Sequence, residues 1–222
     1  MHDLFDGSAN IRRYERSIFT PRQCELISFE NYDKYTLTHL LFEGRGTYLF
    51  ILKAPVRVEL APQGTFAHHI RRGSALTFSV GGQTFCIDSK VSQAQGAATM
   101  SFVGFDASGN LRLVPEGGIT AVEMGIKYGA DASPFLVVNG KRLSITDTSK
   151  RSRDRLLLAQ LKTGEIAFIY IKGVDIARAS DYALQLGCSS AAVIANERRI
   201  DIYSKSILQD RQSGCRAVFT VQ

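Results

Sequence analysis

"RSRDRLLLAQLKTGEIAFIYIKGVDIARASDYALQLGCSSAAVIANERRIDIY", residues 151–203, reads as strand, strand, helix and strand. The run EIAFIYIKG is apolar enough, and rich enough in β-branched and aromatic residues, to predict a buried strand. Next, Ile176, Ala179, Ala183 and Leu184 recur at helical spacing and share one face. Asp175 is placed to cap the start of that helix, and Gly187 can take the left-handed conformation that closes its end. The compact apolar run AAVIA, residues 191–195, then predicts another strand.

Upstream, TYLFILKA (47–54) and VRVEL (56–60) have the residue types of strands. Three hairpins are expected from turn chemistry. Gly81-Gly82 separates SALTFSV from QTFCID, residues 106–110 separate the two halves of SFVGFDASGNLRLVP, and Asn139-Gly140 in PFLVVNGKRLSI suits a type I′ turn. The stretch ITAVEMGIKYGA (119–130) suggests a short helix, with Val122, Ile126 and Ala130 at fourfold spacing and Gly125 weakening it. The expected fold class is therefore α+β (mixed α/β), a single domain in which a mixed β-sheet and hairpins are covered by a few helices. Residues 1–45 show weak periodicity and are expected to pack as an N-terminal extension on a domain spanning 46–222.

The chain has 222 residues, and its 27 Lys and Arg are interspersed with 21 Asp and Glu to leave a net charge of +6. That balance favours anionic partners without identifying one. Cys24, Cys86, Cys188 and Cys215 are too dispersed for a CxxC pair and read as reduced, buried thiols. Among the four histidines only His68 and His69 are adjacent, so no metal site and no cofactor is expected. His68-His69 with Arg71-Arg72 reads as an exposed polar loop. No apolar run reaches the roughly 18 residues a membrane span needs. The acidic start MHDLFDGSANIRR lacks the pattern of a secretory signal, so a soluble, unprocessed protein is expected, in the cytoplasm or in a virus or phage particle.

Four segments in order, SPFLVVNGK (133–141), RLLLAQLKTG (155–164), IKGVDIARASDYALQLGC (171–188) and AAVIANERR (191–199), resemble the phosphodiester glycosidase family. The resemblance is clearest over residues 100–205. It implies a phosphodiester glycosidase-like domain acting on a sugar phosphate or a related anionic glycan. It places Arg155 at the family's arginine and Gln160 at its glutamine, with Asn196 where the last strand ends. Arg155, Gln160 and Asn196 are the expected substrate-binding residues, and Arg155 suits a phosphate because a guanidinium offers paired donors and stays charged.

Two motifs depart from the family. Asn196, Glu197 and Arg198 stand where an aspartate-glycine-glycine motif is usual, and Val80-Gly81-Gly82 stands where an asparagine-glycine-glycine motif is usual. An asparagine amide cannot transfer protons as a carboxyl group does, and Glu197, its neighbour along a strand, would face the other way. Glu197 and Asp201 lie near the altered motif and are the carboxylates that could substitute, although Glu197 is no simple replacement for residue 196, and no catalytic residue is assigned. The expected function is that of a catalytically degenerate relative used for binding or assembly, for instance as a structural component of a virus or phage particle. The alternative is an active hydrolase of a sugar phosphodiester. A scaffold would have protein partners or form a homo-oligomer. The basic cluster Lys150, Arg151, Arg153 and Arg155 is interrupted by Asp154 and has no interleaved aromatics, so nucleic acid is not the expected partner.

Overall fold

The apolar runs that decide the sequence reading become the middle of a large sheet. The structure, a computed structural model, describes residues 24–60, 76–79, 84–92, 101–115, 118–145, 151–195, 202–204 and 217–222. Among these residues the chain forms seventeen strands and two helices, numbered in chain order. The eight-stranded sheet has the order β1 (Cys24–Asn31), β2 (Tyr35–Phe42), β3 (Arg45–Leu52), β14 (Ile166–Val174), β13 (Arg153–Leu161), β15 (Cys188–Ala195), β11 (Phe135–Val138) and β12 (Lys141–Arg142). A five-stranded sheet runs β7 (Lys90–Val91), β6 (Phe85–Ile87), β10 (Ile126–Asp131), β8 (Phe102–Asp106) and β9 (Leu111–Val114). A four-stranded sheet runs β16 (Ile202–Ser204), β5 (Leu76–Ser79), β17 (Ala217–Val221) and β4 (Val56–Leu60). The helices are α1 (Gly118–Glu123) and α2 (Ile176–Gln185).

This corrects the expected α+β class with a mixed sheet. The fold is predominantly β, and the strand pairings described in all three sheets are antiparallel. The physical reason is that the large sheet is buried on both faces. On β13, Leu156 and Leu158 face a core shared with Phe78, Phe219 and Phe105 of the two smaller sheets. Leu157, Ala159 and Leu161 face a second core closed by Ile176, Ala179, Tyr182 and Ala183 of α2. Most of one face is thus covered by sheets, where the sequence suggested covering helices. Burial on both faces also erases the alternation that marks a strand in sequence. In β2, Tyr35 and Leu37 join one core and Leu40 and Phe42 the other, so residues 35–42 lack a period of two despite being a strand.

The local predictions divide. Asp175 accepts the amide of Arg178 at 2.8 Å and caps α2, while Gly187 at φ +78° closes it. The Asn139-Gly140 turn joins β11 to β12 with φ of 51° and 72°, and the turn after Asp106 joins β8 to β9. The hairpin expected at Gly81-Gly82 is overturned: β5 pairs with β16 and β17, whereas β6 pairs with β7 and β10. Gly81 and Gly82 themselves lie outside the described residues. The helix expected through residue 130 ends at Glu123, where Gly125 turns the chain at φ +81° and Ile126 opens β10.

Candidate functional site

Arg155 lies near the start of β13, paired with Ile171 of β14. Its side chain is 1% exposed. The guanidinium Nε donates to the carbonyl oxygen of Val174 at 3.2 Å, and Nη2 donates to that of Arg151 at 3.1 Å. Charge-assisted bonds of this kind are stronger than neutral ones, and they fasten the β14–α2 junction to the start of β13. The neighbouring Asp154 sits at a bulge in the β13–β14 register. Its carboxylate accepts the Gly173 amide at 3.0 Å and the Tyr170 hydroxyl at 2.6 Å, and Arg45 donates to the Gly173 carbonyl. Gly173 adopts φ +59°, and a Cβ there would meet Arg45 Nη1 at 3.3 Å, which accounts for glycine at this clasp.

Gln160 is five residues along β13, roughly 16 Å from Arg155 at the usual rise of a strand. Its amide donates to the Gly164 carbonyl at 3.3 Å, bracing the β13–β14 turn. Arg155 and Gln160 are therefore at opposite ends of one strand. Asn196, Glu197 and Asp201 lie outside the described residues, as do His68, His69 and Cys215; the described strand β15 ends at Ala195, whose partner on β13 is Leu156. The described Cys24, Cys86 and Cys188 are free thiols. Burial pushes the Cys188 thiol up to about 12 and Cys24 to about 11. Among the described residues no group of three His, Cys, Asp or Glu could hold a metal ion, and no helix is long and apolar enough to cross a membrane.

The sequence reading missed Asp131. It is 5% exposed and, among the described residues, is the one buried carboxylate. It ends β10, with its amide donating to the Thr84 carbonyl at 2.9 Å, just before the cis Ser133–Pro134 bond carries the chain into β11. The Ser133 amide donates to the Val193 carbonyl at 2.9 Å, so the segment after Asp131 reaches β15, the strand beside β13. The available signal was a lone acidic residue inside the apolar stretch YGADASP.

A concavity of about 580 Å³ lies at the other end of β13. It is bounded by the β3–β4 connection, the β8–β9 turn, β10 and the β13–β14 turn that Gln160 braces.

Comparison with known proteins shows the fold. The catalytic domain of zebrafish N-acetylglucosamine-1-phosphodiester alpha-N-acetylglucosaminidase, auto-inhibited by its pro-peptide, superposes with a TM-score of 0.60 at 10% identity, covering 91% of this chain and 84% of that one. A hypothetical protein from Synechocystis superposes with a TM-score of 0.62 at 9% identity, covering 91% of this chain and 64% of that one. No protein-family model matches the sequence, and no curated protein matches it significantly. The chain thus shares its fold with a phosphodiester glycosidase catalytic domain, and fold alone does not carry chemistry.

Proposed function

We propose that the chain is a binding or assembly protein that keeps the phosphodiester glycosidase fold without its hydrolysis. The observation that carries this reading is the placement of Arg155. At the position where the resemblance implies a phosphate contact, the guanidinium is buried and bonded to the carbonyls of Val174 and Arg151. A guanidinium held this way braces the fold, and moving it onto a ligand would strip the buried Val174 carbonyl of its donor and break the bond to the Arg151 carbonyl. The replacement of the aspartate-glycine-glycine motif by Asn196, Glu197 and Arg198 supports the same reading, since glycoside hydrolysis normally requires paired carboxyl groups. The test is a panel of sugar phosphodiesters incubated with the protein at high concentration. No release of sugar is expected, and turnover of any member would overturn the proposal.

One observation favours a second reading, that of an active hydrolase of a sugar phosphodiester. Asp131 is a buried carboxylate in a segment that reaches β15, next to the strand that carries Arg155. Glycoside hydrolysis needs a carboxyl group, and Asp131 would supply it. In that case Asp131→Asn would abolish turnover while Arg155 kept its structural role.

A further inference from the structure

The concavity at the far end of β13 serves none of the roles above, yet its walls combine two features suited to an amphipathic anion. Its floor is apolar: Val56 and Phe105 are buried and Ile166 is half-buried. Its rim is cationic, with Lys53, Arg57 and Lys127. The carboxylates in the lining are already engaged. Asp106 accepts the amides of Ser108 and Asn110, both at 2.9 Å, and the Arg112 guanidinium at 2.9 Å. Glu165 accepts the Thr163 hydroxyl.

The cations are committed to a lesser degree. The Lys53 ammonium bonds to neutral oxygens, the Asn31 side chain and the Tyr32 carbonyl. Lys127 stands 3.9 Å from Asp88, longer than a good hydrogen bond, and 5.5 Å from the Tyr128 ring centroid. Arg57 is exposed, and its guanidinium makes no hydrogen bond or ion pair among the described residues. The volume of about 580 Å³ is in the range of small-molecule sites.

We propose that this cleft binds a small organic phosphate monoester with an apolar ring. The ring would lie against Phe105, Val56 and Ile166, and the phosphate would sit between Arg57 and Lys127. A phosphate suits the rim better than a single carboxylate because its double charge can be shared between two cations, one of which presents a planar fork of donors. Neither the fate of Arg155 nor the presence of hydrolysis bears on this site, so it stands apart from the reading of the fold's other end.

Phenyl phosphate is the probe, titrated into the full chain by calorimetry with amide chemical shifts followed in parallel. Inorganic phosphate tests charge alone and benzyl alcohol tests the ring alone. Saturable binding of phenyl phosphate is expected, at least tenfold tighter than either control, with shifts centred on Lys127, Tyr128 and Gly164. Arg57→Glu should weaken it at least tenfold without lowering the melting temperature, and Lys127→Ala should weaken it severalfold. Absence of saturable binding, equal affinity in Arg57→Glu, or shifts elsewhere on the protein would each overturn the proposal.

Discussion

The Arg155 guanidinium donates through Nε to the carbonyl oxygen of Val174 at 3.2 Å, so a charge on β13 holds the last residue of β14 where the chain turns toward α2. Arg155→Ala removes that donor and the bond to Arg151, and it leaves a void at a site that is 1% exposed. The expected loss is about 3 kcal/mol or more of unfolding free energy. Arg155→Lys keeps the charge but cannot reproduce the planar fork, so a loss of about 1–2 kcal/mol is expected. Urea denaturation measures both, and a change within about 0.5 kcal/mol for the alanine variant would show that the arginine does not brace the junction.

Gly104 of β8 pairs directly with Gly129 of β10. A Cβ on Gly104 would lie 2.3 Å from the Tyr128 carbonyl oxygen, and one on Gly129 would lie 2.6 Å from that of Val103. Both clashes are with backbone, which cannot move aside as a side-chain tip can. Either glycine-to-alanine change is expected to cost about 2–4 kcal/mol, by the cost of overpacking with a backbone shift. A thermal melt distinguishes this from the small gain expected where alanine fits.

His39 meets Tyr48 edge-on with ring centroids 4.7 Å apart, and its Nε2 is buried without a hydrogen-bond partner among the described residues. Burial lowers its pKa below the ordinary 6.5, outweighing the opposing pull of the Glu30 carboxylate. The unfolded chain therefore takes up this proton at higher pH than the folded one. The contribution to stability is full above the ordinary value and declines as pH falls from there toward the lower folded value. The urea midpoint of the native protein should drop between about pH 7.5 and about pH 5.5, and His39→Phe should drop less. An equal slope in the two proteins would assign the effect to other groups.

Asp175 accepts the Arg178 amide at 2.8 Å at the start of α2. Asp175→Ala is expected to cost about 1 kcal/mol and Asp175→Asn only a fraction of it, because asparagine also caps. Comparing the two by urea denaturation separates capping from any role of the charge in a site.

How much of this was legible in the sequence depended on whether the deciding signal was local. The α2 cap at Asp175, its closure at Gly187 and the Asn139-Gly140 turn are set by residues within a few positions of one another, and each was readable. The Gly81-Gly82 hairpin failed because the partners of β5 and β6 lie far along the chain, on β17 and β10, and a glycine pair says nothing about them. Strand β2 was obscured by burial on both faces, which removed the alternation from residues 35–42. Arg155 could be nominated by its pattern of neighbours, but its burial against Val174 arises from strand pairing that no local motif encodes. Asp131 went unnoticed because its burial comes from the packing of segments distant in the chain, not from its neighbours in sequence.

The central claim, a phosphodiester glycosidase fold without its hydrolysis, is tested most directly by phosphorus NMR of the protein incubated with N-acetylglucosamine joined through its anomeric oxygen to methyl phosphate. Hydrolysis would convert the diester signal to the monoester signal of methyl phosphate. The account predicts a diester signal that matches the protein-free control throughout. A monoester signal that grows with protein concentration and vanishes in Asp131→Asn would contradict it.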